Sequence, residues 1–198
     1  MNDQKPIPRP GADILASLVT AVMILTLIPL MLGFTDAMGA VASLIWLVPG
    51  FVILMIAVSH MFREGNPVLA AVNAVLSGMA LCQTIGRGII ILAFLLAGQE
   101  MPPSLAANLD LMSGGGFIAA GIFLCVMAML NLKGGNKLAG CFIFLPTIGF
   151  LLLGIGSFGA SNLNLPGFAL LAVFGFYLLY QAVAGTVHFI TGVKKLPY

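Results

Sequence analysis

Asn73, Ser77, Thr84 and Arg87 follow one another at intervals of four, seven and three residues inside otherwise apolar sequence. At ~100° of helix rotation per residue, these intervals confine the four side chains to an arc of about 80°, a single face. Polar groups are costly inside a bilayer, and a stripe of amide, hydroxyl and guanidinium groups is what the path of a small polar solute needs. Ala70, Ala74 and Gly78 recur every fourth residue on a neighbouring face, a small-residue pattern suited to close helix contact. Tyr177, Tyr180, Gln181 and His188 make a second polar stripe further along, with Ala184 among them. Hydrogen bonding between helices would use the same residue types, so for Asn73, Ser77 and Thr84 both readings stand. Tyr177 and Tyr180 equally suit an aromatic belt at the membrane surface, and His188 reads as an interfacial residue.

Arg87 is permanently charged. It lies about 30 Å along a straight helix from Pro67, which places it near a membrane surface. There it either snorkels to the headgroups or draws anions to the mouth of a path. The acidic residues fall outside the apolar runs: Asp13 and Glu64 at one set of ends, Asp36, Glu100 and Asp110 in the opposite loops. A carboxylate proton relay is therefore not expected, and any proton dependence would come from a solute crossing as its neutral acid. The sequence has no G-x-x-x-x-G-K-[ST], no H-E-x-x-H and no C-x-x-C, and only His60 and His188 as histidines. The glycine triplet 114–116, read as the opening of a helix, lacks the G-K-[ST] of a phosphate loop. An ATP-driven pump is excluded for this chain alone, and neither an enzyme nor a cofactor is expected. Cys82, Cys125 and Cys141 all sit in apolar runs and read as small packing residues, not as a disulfide or metal set. No basic cluster points to nucleic acid.

The elements that must carry these residues follow from composition. The chain is 61% hydrophobic and 7% charged, with a mean hydropathy of +1.14; a soluble domain carries about 25% charged residues. Its solvent is the lipid bilayer. A cleavable signal peptide is not expected, because no short apolar run ends at a small-residue cleavage site. A span needs about 20 apolar residues, and six runs qualify: 13–33, 38–60, 67–97, 112–132, 137–156 and 165–189. The expected fold is thus an all-α integral membrane bundle of six transmembrane helices. Residues 13–192 form its single domain, between a segment 1–12 and a tail 193–198. The third run would be roughly 46 Å long; it is tilted, extends past the membrane, or breaks at Gly86, Arg87 and Gly88. Pro29, Pro49 and Pro146 predict kinks within spans.

Seven of the eight basic residues, Lys5, Arg9, Arg63, Lys133, Lys137, Lys194 and Lys195, fall at one set of helix ends. The positive-inside rule places those ends, and both termini, in the cytoplasm. The expected location is the inner (plasma) membrane of a prokaryote. Two of the cytoplasmic turns resemble each other: F-R-E-G-N-P-V-L-A at 62–70 and L-K-G-G-N-K-L-A-G at 132–140. Arg63 and Lys133, Gly65 and Gly135, and Asn66 and Asn136 are each seventy positions apart. A basic residue closes each helix, glycine supplies a left-handed cap, and asparagine restarts the chain. Recurring turn chemistry and an ancient duplication of a helix hairpin both account for the pair.

The stretch N-L-K-G-G-N-K-L at 131–138, followed by a Gly- and Phe-rich span, resembles the succinate–acetate permease family. The likeness runs through most of the chain. F-R-E-G-N at 62–66 resembles the end of the family's second helix, and Gly114 and Gly121 match its G-x6-G. L-P-T-I-G-F-L-L-L-G-I-G at 145–156 resembles its fifth helix, with Thr147 at a family threonine. The chain departs from the pattern elsewhere. Of the signature N-P-A-P-L-G-L only Pro8 and Pro10 survive, Ala16 and Leu76 replace aromatic residues, Leu54 stands at a glutamine, and the loop before the fourth helix is longer. The resemblance implies passage of a small monocarboxylate such as acetate, or of succinate, through a channel or secondary transporter. It also implies a homo-oligomer, a hexamer with a separate path in each protomer. On that reading Pro8 and Pro10 set the approach to helix one. Asn73, Ser77, Thr84, Thr147, Tyr177, Tyr180 and Gln181 line the path, Arg87 draws anions, and Leu76 forms a constriction that strips water from the solute. A channel for a neutral solute such as urea or a short amide, and a non-transporting scaffold or partner subunit, are the competing expectations.

Overall fold

The computed structural model describes residues 11–135 and 137–192, so Pro8, Pro10 and Asn136 lie outside the described residues. Six helical spans are long and apolar enough to cross a membrane, and there is no strand among the described residues. They are α1 (Ala12–Met31), α2 (Ala37–Arg63), a composite third span (Pro67–Leu96), α5 (Pro103–Lys133), α6 (Lys137–Ser157) and α7 (Asn164–Thr191). The third span consists of α3 (Pro67–Val75), a π-helical stretch (Leu76–Leu81) and α4 (Cys82–Leu96). Helices are the expected solution here, because lipid offers no partner to an unpaired backbone N–H or C=O.

Local chemistry sets the helix ends. The Asp36 side chain accepts from the Met38 N–H at 2.9 Å and starts α2. Asn66 caps α3 through the Leu69 N–H at 3.4 Å, with Pro67 in the first turn. Arg63 and Lys133 are the last residues of α2 and α5. Gly65 and Gly135 then take φ values of 79° and 88°, left-handed conformations open to glycine at little cost. These two reversals define the turn end of the bundle. The loops 32–36, 97–102 and 158–163 define the opposite, loop end.

Two sequence expectations are corrected. The fourth span begins at Pro103, not near 112, because Pro102 and Pro103 open a helix that S-L-A-A-N-L-D continues. Asp110 therefore stands on a helix instead of in a loop, and glycines 114–116 lie well inside α5. The third span does not break at Gly86, Arg87 and Gly88: α4 runs through all three. Its irregularity comes earlier, in the π-helical stretch, where wider turns rotate everything downstream relative to an ideal α-helix.

Each span packs on the next and α7 returns to α1, closing a ring. Ile14 sits against Gly185 and Ile24 against Gly175, so α1 and α7 run antiparallel. The α5–α6 and α6–α7 contacts are close enough for backbones to meet. A Cβ on Gly154 would lie 3.0 Å from the Gly114 carbonyl oxygen, and one on Gly149 the same distance from that of Gly167. One buried core gathers Val72, Leu76, Leu124, Phe150, Leu153 and Phe174; a second gathers Met23, Leu47, Leu54 and Met61 from α1 and α2. Large apolar side chains such as Ile45, Trp46, Ile56, Phe176 and Ile190 cover the perimeter, as suits a lipid-facing surface.

Candidate functional site

The predicted polar stripe of the third span divides at the π-helical stretch. Asn73 and Ser77, 3% and 0% exposed, are packed between helices. The Thr20 hydroxyl donates to Asn73 Oδ1 at 3.3 Å, and Asn73 Nδ2 donates to the Leu69 carbonyl at 3.0 Å. Ser77 Oγ donates to the Ala74 carbonyl at 2.9 Å and lies 3.7 Å from Met55 Sδ. Their polar atoms tie the third span to α1 and α2. Leu76 is buried in the core beside Val72.

The residues assigned to the far side of the path are similarly engaged. Thr147 is buried and donates to the Ile143 carbonyl at 2.8 Å. The Tyr177 ring stacks on Phe142 with centroids 3.7 Å apart, and its hydroxyl accepts from Gln181 Nε2 at 2.6 Å. Tyr180 is on the perimeter, 38% exposed, where it and Tyr177 border a shallow groove with Leu138, Phe142, Val173 and Phe176.

Beyond the π-helical stretch, Thr84 and Arg87 face a different environment. With Gln83 they line a cavity of about 650 Å³ at the loop end, to which every span contributes. The walls are mainly apolar: Leu27 and Leu30 from α1, Ile91, Phe94 and Leu95 from α4, Phe117 from α5, Phe168 and Leu171 from α7. Phe117 stacks on Phe150 at 5.6 Å. Phe150, Leu153 and Leu171 belong both to the cavity wall and to the buried core that holds Leu76, so the cavity ends on that core.

Polar contacts cross from α4 to α5 at Arg87 and Gln83. Arg87 Nη1 donates to Asp110 Oδ1 at 2.5 Å, with the side chains 42% and 49% exposed. Gln83 Nε2 approaches the Ser113 carbonyl at 3.5 Å. The other oxygen of that amide, Gln83 Oε1, is buried without a hydrogen-bond partner. Asp36 and Glu100 also line the cavity, so among its described lining residues three carboxylates stand against one guanidinium. The three loops at this end contain no lysine or arginine. Arg87 is therefore engaged by an acid in an acid-rich mouth, which weighs against its expected role of drawing anions.

Gln83, Asp110 and Asn164 are cavity residues that sequence reasoning passed over. Gln83 was visible as an amide beside Thr84 in an apolar run; Asp110 was hidden by the misplaced start of the fourth span. Among the described residues no group of three or more His, Cys, Asp or Glu is placed to hold a metal ion. Cys125 and Cys141 are free thiols. The chain matches no known protein family, no curated protein and no solved structure.

Proposed function

We propose that this chain is a membrane permease, channel or secondary transporter, through which a small organic solute passes without ATP. The solute enters by the cavity at the loop end. The observation that carries this reading is the cavity itself, which lies within the range of small-molecule sites and is walled by all six spans. With the basic residues gathered at the turn end, that end faces the cytoplasm and the cavity opens outward.

The monocarboxylate reading survives in a narrower form. A carboxylate would meet Asp36, Glu100 and Asp110 at the mouth and apolar walls beyond, so the species that suits the cavity is the neutral acid. The same acidic mouth favours the second reading, a channel for a neutral solute such as urea or a short amide. A prokaryotic inner membrane and a hexameric assembly rest on charge placement and on the resemblance respectively.

Labelled acetate uptake into liposomes carrying the purified protein, at pH 5 and pH 7 with empty liposomes subtracted, tests the reading. We expect a saturable component, larger at pH 5 and competed by other short acids. No uptake of acetate or urea above empty liposomes, from folded protein, overturns it and leaves the scaffold reading.

A further inference from the structure

We infer that the shallow groove between α6 and α7 is a docking site for an anionic phospholipid of the leaflet at the turn end. One acyl chain lies in the groove, and the headgroup phosphate is held at the reversal that carries Lys133 and Lys137. The inference does not depend on what the cavity at the loop end admits.

The groove follows from how the two helices meet. Gly156 faces Asn164 and Gly149 faces Gly167, so α6 and α7 run antiparallel with their backbones in contact. Nearer the turn end, large side chains occupy the seam instead. Tyr177, 7% exposed and stacked on Phe142, makes the floor. Leu138, Val173, Phe176 and Tyr180, between 38% and 59% exposed, make the rims. From Val173 to Tyr180 is about 10 Å of helix, so the groove lies lengthwise along the helices, as an acyl chain lies in a bilayer. It ends at Leu138, where Lys137 opens α6 and Lys133 closes α5. Both lysines are exposed, and among the described residues neither has an acidic partner. The acids of this end, Asp13 and Glu64, belong to the start of α1 and to the other reversal. Basic residues between membrane helices on the cytoplasmic side are suited to anionic headgroups, which that leaflet supplies. A second copy of the chain fits the groove less well. Its six lining residues fall far short of the 20–30 or so that each side of a stable interface provides.

The test is native mass spectrometry of the full chain, delipidated in detergent and titrated with phosphatidylglycerol or phosphatidylcholine of identical acyl chains. Wild type is expected to bind phosphatidylglycerol at least about fivefold more tightly. In the double variant Lys133→Gln, Lys137→Gln that preference should collapse to about onefold, while Arg63→Gln, at the other reversal, should retain it. Val173→Trp fills the groove and should weaken binding of both lipids severalfold. Thermal unfolding in detergent reports whether each variant is folded, and the lysine variant, changed only at exposed positions, decides the matter if Val173→Trp is not. Absence of a preference in wild type, or its survival in the lysine variant, overturns the inference. An equal loss in Arg63→Gln does so too, since diffuse surface charge would then explain the selectivity. Unchanged lipid binding in folded Val173→Trp, with loss of an oligomer, overturns it in favour of a second copy.

Discussion

The α5–α6 hairpin and the third span both carry glycines deep in membrane helices, and they use them in opposite ways. In the hairpin, Gly114 and Gly154 bring two backbones together, so that a Cβ on either would lie 3.1 or 3.0 Å from the other's carbonyl oxygen. In the third span, a Cβ on Gly78 or Gly86 would meet nothing within 4 Å, and one on Gly88 would meet only the Leu44 side chain. One region is fastened backbone to backbone; the other leans mainly on α2, packs on α5 by side chains of α3 and the π-helical stretch, and in α4 reaches α5 through Gln83 and Arg87. Dispersion and close packing are what hold helices together in lipid, where apolar side chains gain little by leaving the solvent. The fastened hairpin is therefore the scaffold, and the cavity opens where such contact is missing.

The largest effect that would break this contrast is at the hairpin. Gly154→Leu should destabilise the fold most, because a Cβ there would meet the Gly114 carbonyl oxygen and the Ile118 backbone N as well as the Ile118 side chain, and backbone cannot rotate away. The expected loss is about 3 kcal/mol or more, read by thermal unfolding in detergent. A smaller effect is expected where Thr20 meets Asn73: a double-mutant cycle of Thr20→Val and Asn73→Leu should give a coupling of about 0.6 kcal/mol. It should leave solute flux unchanged if both residues serve packing. Next, Asp110→Asn should free Arg87 and raise acetate uptake at pH 7 severalfold, with stability altered by less than about 1 kcal/mol since the pair is half exposed. Uptake unchanged by both Asp110→Asn and Arg87→Gln would remove the ion pair from the account of the mouth. The smallest effect is Gly86→Ala, expected to be neutral or stabilising by up to about 1 kcal/mol. A severe loss at Gly86 would show that the open side of α4 is occupied in the native assembly.

The six spans were legible because a run of apolar residues long enough to cross a membrane has few other uses. Where the reading went astray, the cause was local. Residues 103–111 contain Ser, Asn and Asp and read as a loop, but a Pro-Pro start and continuous helix formers keep them helical past the apolar run. The stripe from Asn73 to Arg87 assumed one helical period, and the π-helical stretch between Leu76 and Leu81 spoils the phase without any sequence signal strong enough to place it. The partners of these residues were beyond reach for a different reason. That Thr20 meets Asn73, or Arg87 meets Asp110, depends on which spans are neighbours, and spacing within one span carries no information about that. Gln83 was readable as a polar residue, yet its approach to the Ser113 carbonyl depends on the same neighbourhood.

The seam between α1 and α7, where Ile14 meets Gly185 and Ile24 meets Gly175, has a consequence for biogenesis. Of the six spans, the two that close the ring are the first and the last to be made. Until α7 is synthesised, the face of α1 that will hold it lacks that partner, and early spans wait in the bilayer as an open arc. Helices added in between can pair as hairpins on arrival, but closure has to await the final one. A chain stopped short of α7 would thus lose more than one wall of its cavity. It would stay an open arc with two unsated edges, free to meet other such arcs in the membrane.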